Sequence, residues 1–154
     1  MRSRHFVLAL YSLLSGVLIA YALPPSAFTG LSFIALAPFL ALLWCNMGAR
    51  HLLAHGTIAG TTVAMFYCAW LFETLPLNWL GVETTPLLVG VLVFTVFVLA
   101  LFLGLFFGFF LVAAKKIVGT HTALLPLVAL LLWPIFEYLR TAALSFHPYI
   151  IGEG

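Results

Sequence analysis

Residues 87–114 read LLVGVLVFTVFVLALFLGLFFGFFLVAA. The run holds 28 residues and no charged side chain, and it ends at Lys115-Lys116. As a helix it rises about 42 Å, against a bilayer hydrocarbon core of about 30 Å. A helix that long must tilt or emerge from the core at one end. Its aliphatic and aromatic side chains surround the helix on every face, so it has no polar stripe to offer water.

The rest of the chain agrees. Of 154 residues, 65% are hydrophobic and 6% charged, and the mean hydropathy is +1.24. Soluble domains are about 45–50% apolar and about 25% charged. Six Lys/Arg and four Asp/Glu cannot supply the polar surface of a soluble fold. The composition excludes a soluble globular domain, a disordered chain and a nucleic-acid binder. It predicts an all-α, polytopic membrane helix bundle.

Charges divide the chain. None falls between Arg4 and Arg50, Arg50 and Glu73, Glu83 and Lys115, or Lys116 and Glu137. The first gap holds 45 residues and is cut by Pro24-Pro25; the others hold 22, 31 and 20. With about 20 residues needed per crossing, five spans are expected, at roughly 6–23, 31–47, 54–73, 87–114 and 122–139, in one transmembrane domain covering 1–154. Pro24-Pro25 removes two backbone donors and biases Leu23 away from helix. Asn46, Gly48 and Arg50-His51 end the second span, which contains Pro38. Pro76, Asn78, Gly81 and Pro86 mark a loop, and Gly119 follows the fourth span. Residues 141–154 are still apolar but short, and are expected to form an interfacial or re-entrant segment.

If each span crosses once, Arg2, Arg4, Arg50, Lys115 and Lys116 share one side, and Glu73 and Glu83 the other, where Arg140 is the lone base. The positive-inside rule places the first side, and the N-terminus, in the cytoplasm. Arg2, Arg4, a 15-residue apolar core and Ala20-Tyr21-Ala22 resemble a signal peptide. Discarding that helix would invert the charge pattern, so an uncleaved first span is expected.

Small residues recur at four-residue spacing: Ser12, Gly16 and Ala20; Gly56, Gly60, Ala64 and Cys68; Gly104 and Gly108. Such stripes let helices approach closely in lipid, and intramolecular packing is the expected use. Tyr67, Trp70, Phe72 and Trp79 gather around Glu73 and Asn78 as an interfacial aromatic belt. Glu137 and Arg140, three apart on a helix, share a face. Ionisable residues within a membrane mark either function or an interfacial salt bridge. His51 and His55 have the i, i+4 spacing of metal ligands, but no third ligand is near, and an interfacial pair is expected. Cys45 and Cys68 lie in apolar runs with no CxxC spacing and read as packing residues. No catalytic residue, metal site or cofactor is assigned.

Three stretches carry a resemblance. The first is Leu23-Pro24-Pro25, Phe28 and the run SFIALAPFLALL from Ser32 to Leu43. The second is GTIAGTTVAMFYCAWL from Gly56 to Leu71. The third is WPIFEYLR from Trp133 to Arg140, then Phe146-His147-Pro148-Tyr149 and Gly152. In order and spacing the chain resembles the membrane part of the apolipoprotein N-acyltransferase family. It departs from that pattern at Tyr138 and Tyr149, where the family commonly has Trp, and at His147, which intrudes before Pro148.

The resemblance implies a bacterial inner-membrane protein with phospholipid and lipoprotein as partners. It also implies a nitrilase-like catalytic domain, in cis or in trans, that carries a Glu-Lys-Cys triad outside these helices. That triad moves an acyl group from phospholipid to the N-terminal cysteine of a lipoprotein. Cys45 and Cys68, in apolar helices, cannot replace its nucleophile. The chain is then expected to anchor the catalytic domain and shape lipid access, without being catalytic alone. Glu137, Arg140, Pro148, Tyr149, Trp70 and Trp79 are the candidate access and rim residues, expected at the outer boundary where the catalytic domain would sit. A small transporter, a lipid- or vitamin-binding membrane subunit, and a purely structural membrane subunit are the alternatives; the first two need a polar midplane site.

Overall fold

The computed structural model describes residues 2–22, 31–45, 47–73, 75 and 85–144. Among them the chain is helical, without strands: α1 (Arg2–Ala22), α2 (Leu31–Ala41), α3 (Ala49–Tyr67), α4 (Trp70–Glu73), α5 (Pro86–Val118) and α6 (Leu125–Leu144), with a 3-10 turn at Thr122–Leu124 before α6. The all-helical class is as expected. The count of five spans is not settled by it. Two helical stretches are long and apolar enough to cross a membrane, Ala49–Glu73 with 25 residues and Pro86–Val118 with 33. Phe6–Ala22 and Leu125–Leu139 are shorter apolar helices. The Pro24-Pro25 turn, the Pro76–Gly81 loop and residues 145–154 lie outside the described residues.

The second expected span, 31–47, is not one regular helix. Regular helix stops at Ala41, and its 11 residues rise only about 16 Å. Pro38 lies inside it and withdraws one backbone donor. Beyond it the bonding tightens to the i→i+3 pattern: Leu42 N–H donates to Phe39 C=O (3.2 Å), Leu43 to Leu40 (2.9 Å), Trp44 to Ala41 (3.1 Å) and Cys45 to Leu42 (3.2 Å). The third expected span keeps the length and hydropathy of a crossing over Ala49–Glu73 but is not one continuous helix. α3 ends at Tyr67, Ala69 N–H reaches back only to Phe66 C=O at 3.2 Å, and α4 resumes at Trp70. α6 instead outruns its expected end at 139, with Pro134 inside it.

α5 has defined ends. Thr85 caps its start, the hydroxyl accepting from Leu88 N–H at 3.3 Å, and Pro86 fills the first turn, where its missing donor costs nothing. At the far end Gly119 takes φ 54° and donates to Lys115 C=O at 3.0 Å. Lys115 and Lys116 in the last turn suit the negative end of the helix dipole.

α3 and α5 pack at backbone contact. A side chain on Gly56 would stand 2.6 Å from Gly108 Cα, and one on Gly60 would meet the Phe107 ring. A Cβ on Gly104 would collide with Thr61 Oγ1, and one on Gly108 would lie 2.6 Å from Leu53 C=O. The Oγ1 atoms of Thr57 and Thr61 are buried without a hydrogen-bond partner among the described residues. They face these glycines, where the polarised Cα–H groups are weak donors. The pairings 56 with 108 and 61 with 104 make the helices antiparallel.

α1 runs parallel to α3. Ser12 meets His55, Gly16 lies against Ala59 and Thr62, and the Tyr21 and Phe66 rings are 5.8 Å apart. Ser12, Ser15 and His55 are the buried polar residues of the described set. Each serine donates to the carbonyl one turn back, Ser12 to Leu8 and Ser15 to Tyr11, both at 2.8 Å. Ser12 Oγ also lies 3.1 Å from His55 Nδ1. With its proton given to Leu8, Ser12 accepts from the ring, so Nδ1 carries the hydrogen.

These pairings bring the start of α1, with Arg2 and Arg4, the start of α3, with Arg50, and the end of α5, with Lys115 and Lys116, to one end of the bundle. Glu73 lies at the other. The core on the basic side is Phe39, Leu42, Leu43, Leu52, Phe110 and Leu111, all essentially without exposure.

Gly56→Leu should lower the melting temperature of the detergent-solubilised protein, since overpacking costs about 1–3 kcal/mol. Gly90→Ala should leave it unchanged or raise it, because nothing lies within 4 Å of that position and alanine gains up to about 1 kcal/mol in a helix. Equal melting of both variants would contradict the close α3–α5 contact. Ser12→Ala should cost about 0.6 kcal/mol, the mean for hydrogen bonds between membrane helices. Ser15→Ala, whose serine bonds only within α1, should cost less in the same denaturation series.

Candidate functional site

Rings gather where α2, α5 and α6 meet. Phe39 of α2 stacks on Phe110 (centroids 6.1 Å, planes 21° apart) and sits edge-on to Phe107 at 5.6 Å. Trp133 of α6 is edge-on to both, at 5.5 Å from Phe107 and 5.3 Å from Phe110. Phe136 is edge-on to Phe110 at 5.7 Å. Edge-to-face geometry sets the positive rim of one ring on the negative face of another, worth about 0.5–1.5 kcal/mol per pair beyond burial.

Glu137 lines a small pocket with Phe106, Phe107, Phe110, Trp133 and Phe136. It is half-buried. Phe106 stands twelve residues before the end of α5, about 18 Å along the axis. Phe107 packs on Gly60, midway along the Ala49–Glu73 stretch. The carboxyl-bearing residue therefore stands at mid-depth of the bundle, among rings.

A larger hollow opens on the other side of the Trp133–Phe110 pair, toward the basic end. It measures about 430 Å³ and is lined by Leu36 and Leu40 of α2, Phe110 of α5, and Pro126, Ala129, Leu130, Trp133 and Pro134 of α6. Beyond its lining, at the basic end of the bundle, the Lys115 ammonium donates to Leu43 C=O at 2.8 Å. This bond satisfies a carbonyl that the end of α2 would otherwise leave unpaired. Toward the opposite end of α5, Phe94, Thr95, Val98, Leu99 and Phe102 line a second hollow of about 380 Å³.

Of the candidate access residues, Trp79, Pro148 and Tyr149 lie outside the described residues. Trp70 opens α4, and Arg140 lies three residues after Glu137 within α6; their side chains are outside the described set. His51 is exposed, while His55 is buried against Ser12. Among the described residues no three His, Cys, Asp or Glu come together to hold a metal ion. Cys45 and Cys68 are free thiols, and Cys45 Sγ points at Ala41 C=O, 3.9 Å away. The Ser12–His55 contact and the Lys115–Leu43 contact had no sequence signal beyond a polar residue in an apolar run, because their partners are 43 and 72 positions away.

Neither the curated proteins nor the solved structures hold a match to the chain. The family model of the apolipoprotein N-acyltransferase N-terminal domain matches residues 15–151. That range takes in all three resembling stretches, except for Trp133–Gly152's last residue, and both helices long enough to cross a membrane. The chain thus belongs to the apolipoprotein N-acyltransferase N-terminal domain family.

Proposed function

We propose that this chain is the membrane-embedded part of a bacterial N-acyltransferase system that modifies lipoproteins. It lies in the inner membrane, crosses it with five helices and keeps its N-terminus in the cytoplasm. It anchors a nitrilase-like catalytic domain, supplied in cis or in trans, and shapes the path by which phospholipid acyl chains reach that domain. The observation that carries this reading is the family match over residues 15–151.

Two features of the fold support it. The contacts of α1, α3 and α5 bring Arg50, Lys115 and Lys116 to one end together with the start of α1, the pattern expected of a cytoplasmic face. The surface of α5 is apolar along its length, from Leu87, 79% exposed, through Phe94 to Phe109, as a lipid-facing helix requires. The access residues proposed are Glu137, Arg140, Pro148, Tyr149, Trp70 and Trp79. Among them Glu137 has the most specific surroundings. It lines a pocket with Phe106, Phe107 and Phe136, and an ionisable residue within a membrane is by default a functional-site candidate.

Glu137→Lys, in the enzyme that joins this chain to its catalytic domain, should reduce acylation of a diacylated lipoprotein by tenfold or more, about 1.4 kcal/mol of lost transition-state stabilisation. Glu137→Gln, which keeps the shape, should be milder. Unchanged acylation in both would remove Glu137 from the access path. Reading the gene beyond codon 154 tests the anchor role: an open frame into a nitrilase-like domain is expected in cis. A stop codon with no separately encoded catalytic partner would overturn the acyltransferase assignment.

A further inference from the structure

The hollow between α2, α5 and α6 has an apolar wall, and Lys115 stands beyond that lining, five residues after Phe110 on α5. Leu36, Leu40, Phe110, Ala129, Leu130 and Trp133 give it almost no polar surface. Water has no partner there and would not be held. Its volume of about 430 Å³ lies within the roughly 300–1,000 Å³ typical of ligand sites. Leu40, in the wall, is one turn from Leu43, whose N–H bonds back to it at 2.9 Å. Leu43 C=O in turn holds the Lys115 ammonium at 2.8 Å. An ammonium has three donors, and this bond uses one. Lys115 is only half-buried, while Arg50, Lys116 and His121 at the same end are exposed.

We propose that this groove holds an acyl chain of an anionic phospholipid from the leaflet at the basic end, with the phosphate seated on Lys115. The proposal rests on the reading of the bundle as membrane-embedded. Hydrocarbon fills the wall, and the fixed cation decides which headgroup stays. Arg50 and Lys116 add a field of the same sign that favours a net negative lipid over a zwitterionic one. The comparable hollow at Phe94, Val98, Leu99 and Phe102 lies toward the opposite end of α5 from Lys115 and Lys116. It should take lipid without regard to charge.

Tryptophan quenching by brominated lipid reads this directly. Trp44, Trp70 and Trp79 are replaced by Phe in the full chain, leaving Trp133 in the groove. The protein is placed in phosphatidylcholine vesicles doped with brominated phosphatidylglycerol or, separately, brominated phosphatidylcholine. At equal doping, phosphatidylglycerol should occupy the site several-fold more. Lys115→Gln should reduce that preference about fivefold, the effect of one basic residue near the surface. Lys116→Gln should leave most of it. A companion chain carrying Phe94→Trp and Trp133→Phe should be quenched equally by both lipids. Equal quenching at Trp133, or none there while position 94 is quenched, would overturn the proposal and leave the membrane reading standing. Absence of quenching at both positions would overturn the membrane reading and the proposal with it.

Discussion

The close backbone contact between α3 and α5 is the constraint on which the rest of the bundle depends. Lipid tails are as apolar as leucine, so burial of hydrophobic surface gives membrane helices little reason to associate. Association needs dense packing, which side chains at a crossing would prevent. Gly56 and Gly60 on one helix, and Gly104 and Gly108 on the other, let backbones and threonine side chains meet instead. α1 joins by the same device at Gly16, reinforced by Ser12 on His55. Once α1, α3 and α5 are locked in this register, the positions of the basic residues follow.

α2 and α6 are held differently. Neither brings a glycine stripe to α5. Rings serve instead, with Phe39, Phe107, Phe110, Trp133 and Phe136 joined largely edge to face, and Lys115 closes the end of α2. Large side chains at a seam leave gaps that backbone contact would not. The hollows beside Trp133 are the result, one lined in part by Glu137 and one opening toward the basic end.

Helix class and approximate places were legible in the sequence, because uninterrupted apolar runs admit no other membrane-compatible structure. The small-residue stripes were legible as packing surfaces, and Gly56, Gly60, Gly104 and Gly108 are all buried as that reading requires. Helix ends were less so. Hydropathy sees Pro38 and Cys68 as ordinary apolar positions, yet α2 stops three residues after the first and α3 breaks at the second. Pro134 carries the same missing donor as Pro38, and α6 continues through it. Spacing along one helix put Glu137 and Arg140 on a shared face, but depth depends on the neighbouring helix. Only the contact with Phe106 and Phe107 places Glu137 midway along the bundle. His51 and His55 illustrate the converse: a ligand-like spacing in sequence, with one ring turned to the surface and the other to Ser12.

Orientation of the bundle is the most direct test of the account, since anchor, access path and lipid groove all depend on which end faces the cytoplasm. Single cysteines are introduced at Lys116 and at Glu73 in a chain lacking Cys45 and Cys68. They are then labelled with a membrane-impermeant maleimide in right-side-out and inverted vesicles. The account predicts labelling at 116 in inverted vesicles only and at 73 in right-side-out vesicles only. Labelling of both positions from the same side, or of 116 in right-side-out and 73 in inverted vesicles, would contradict it.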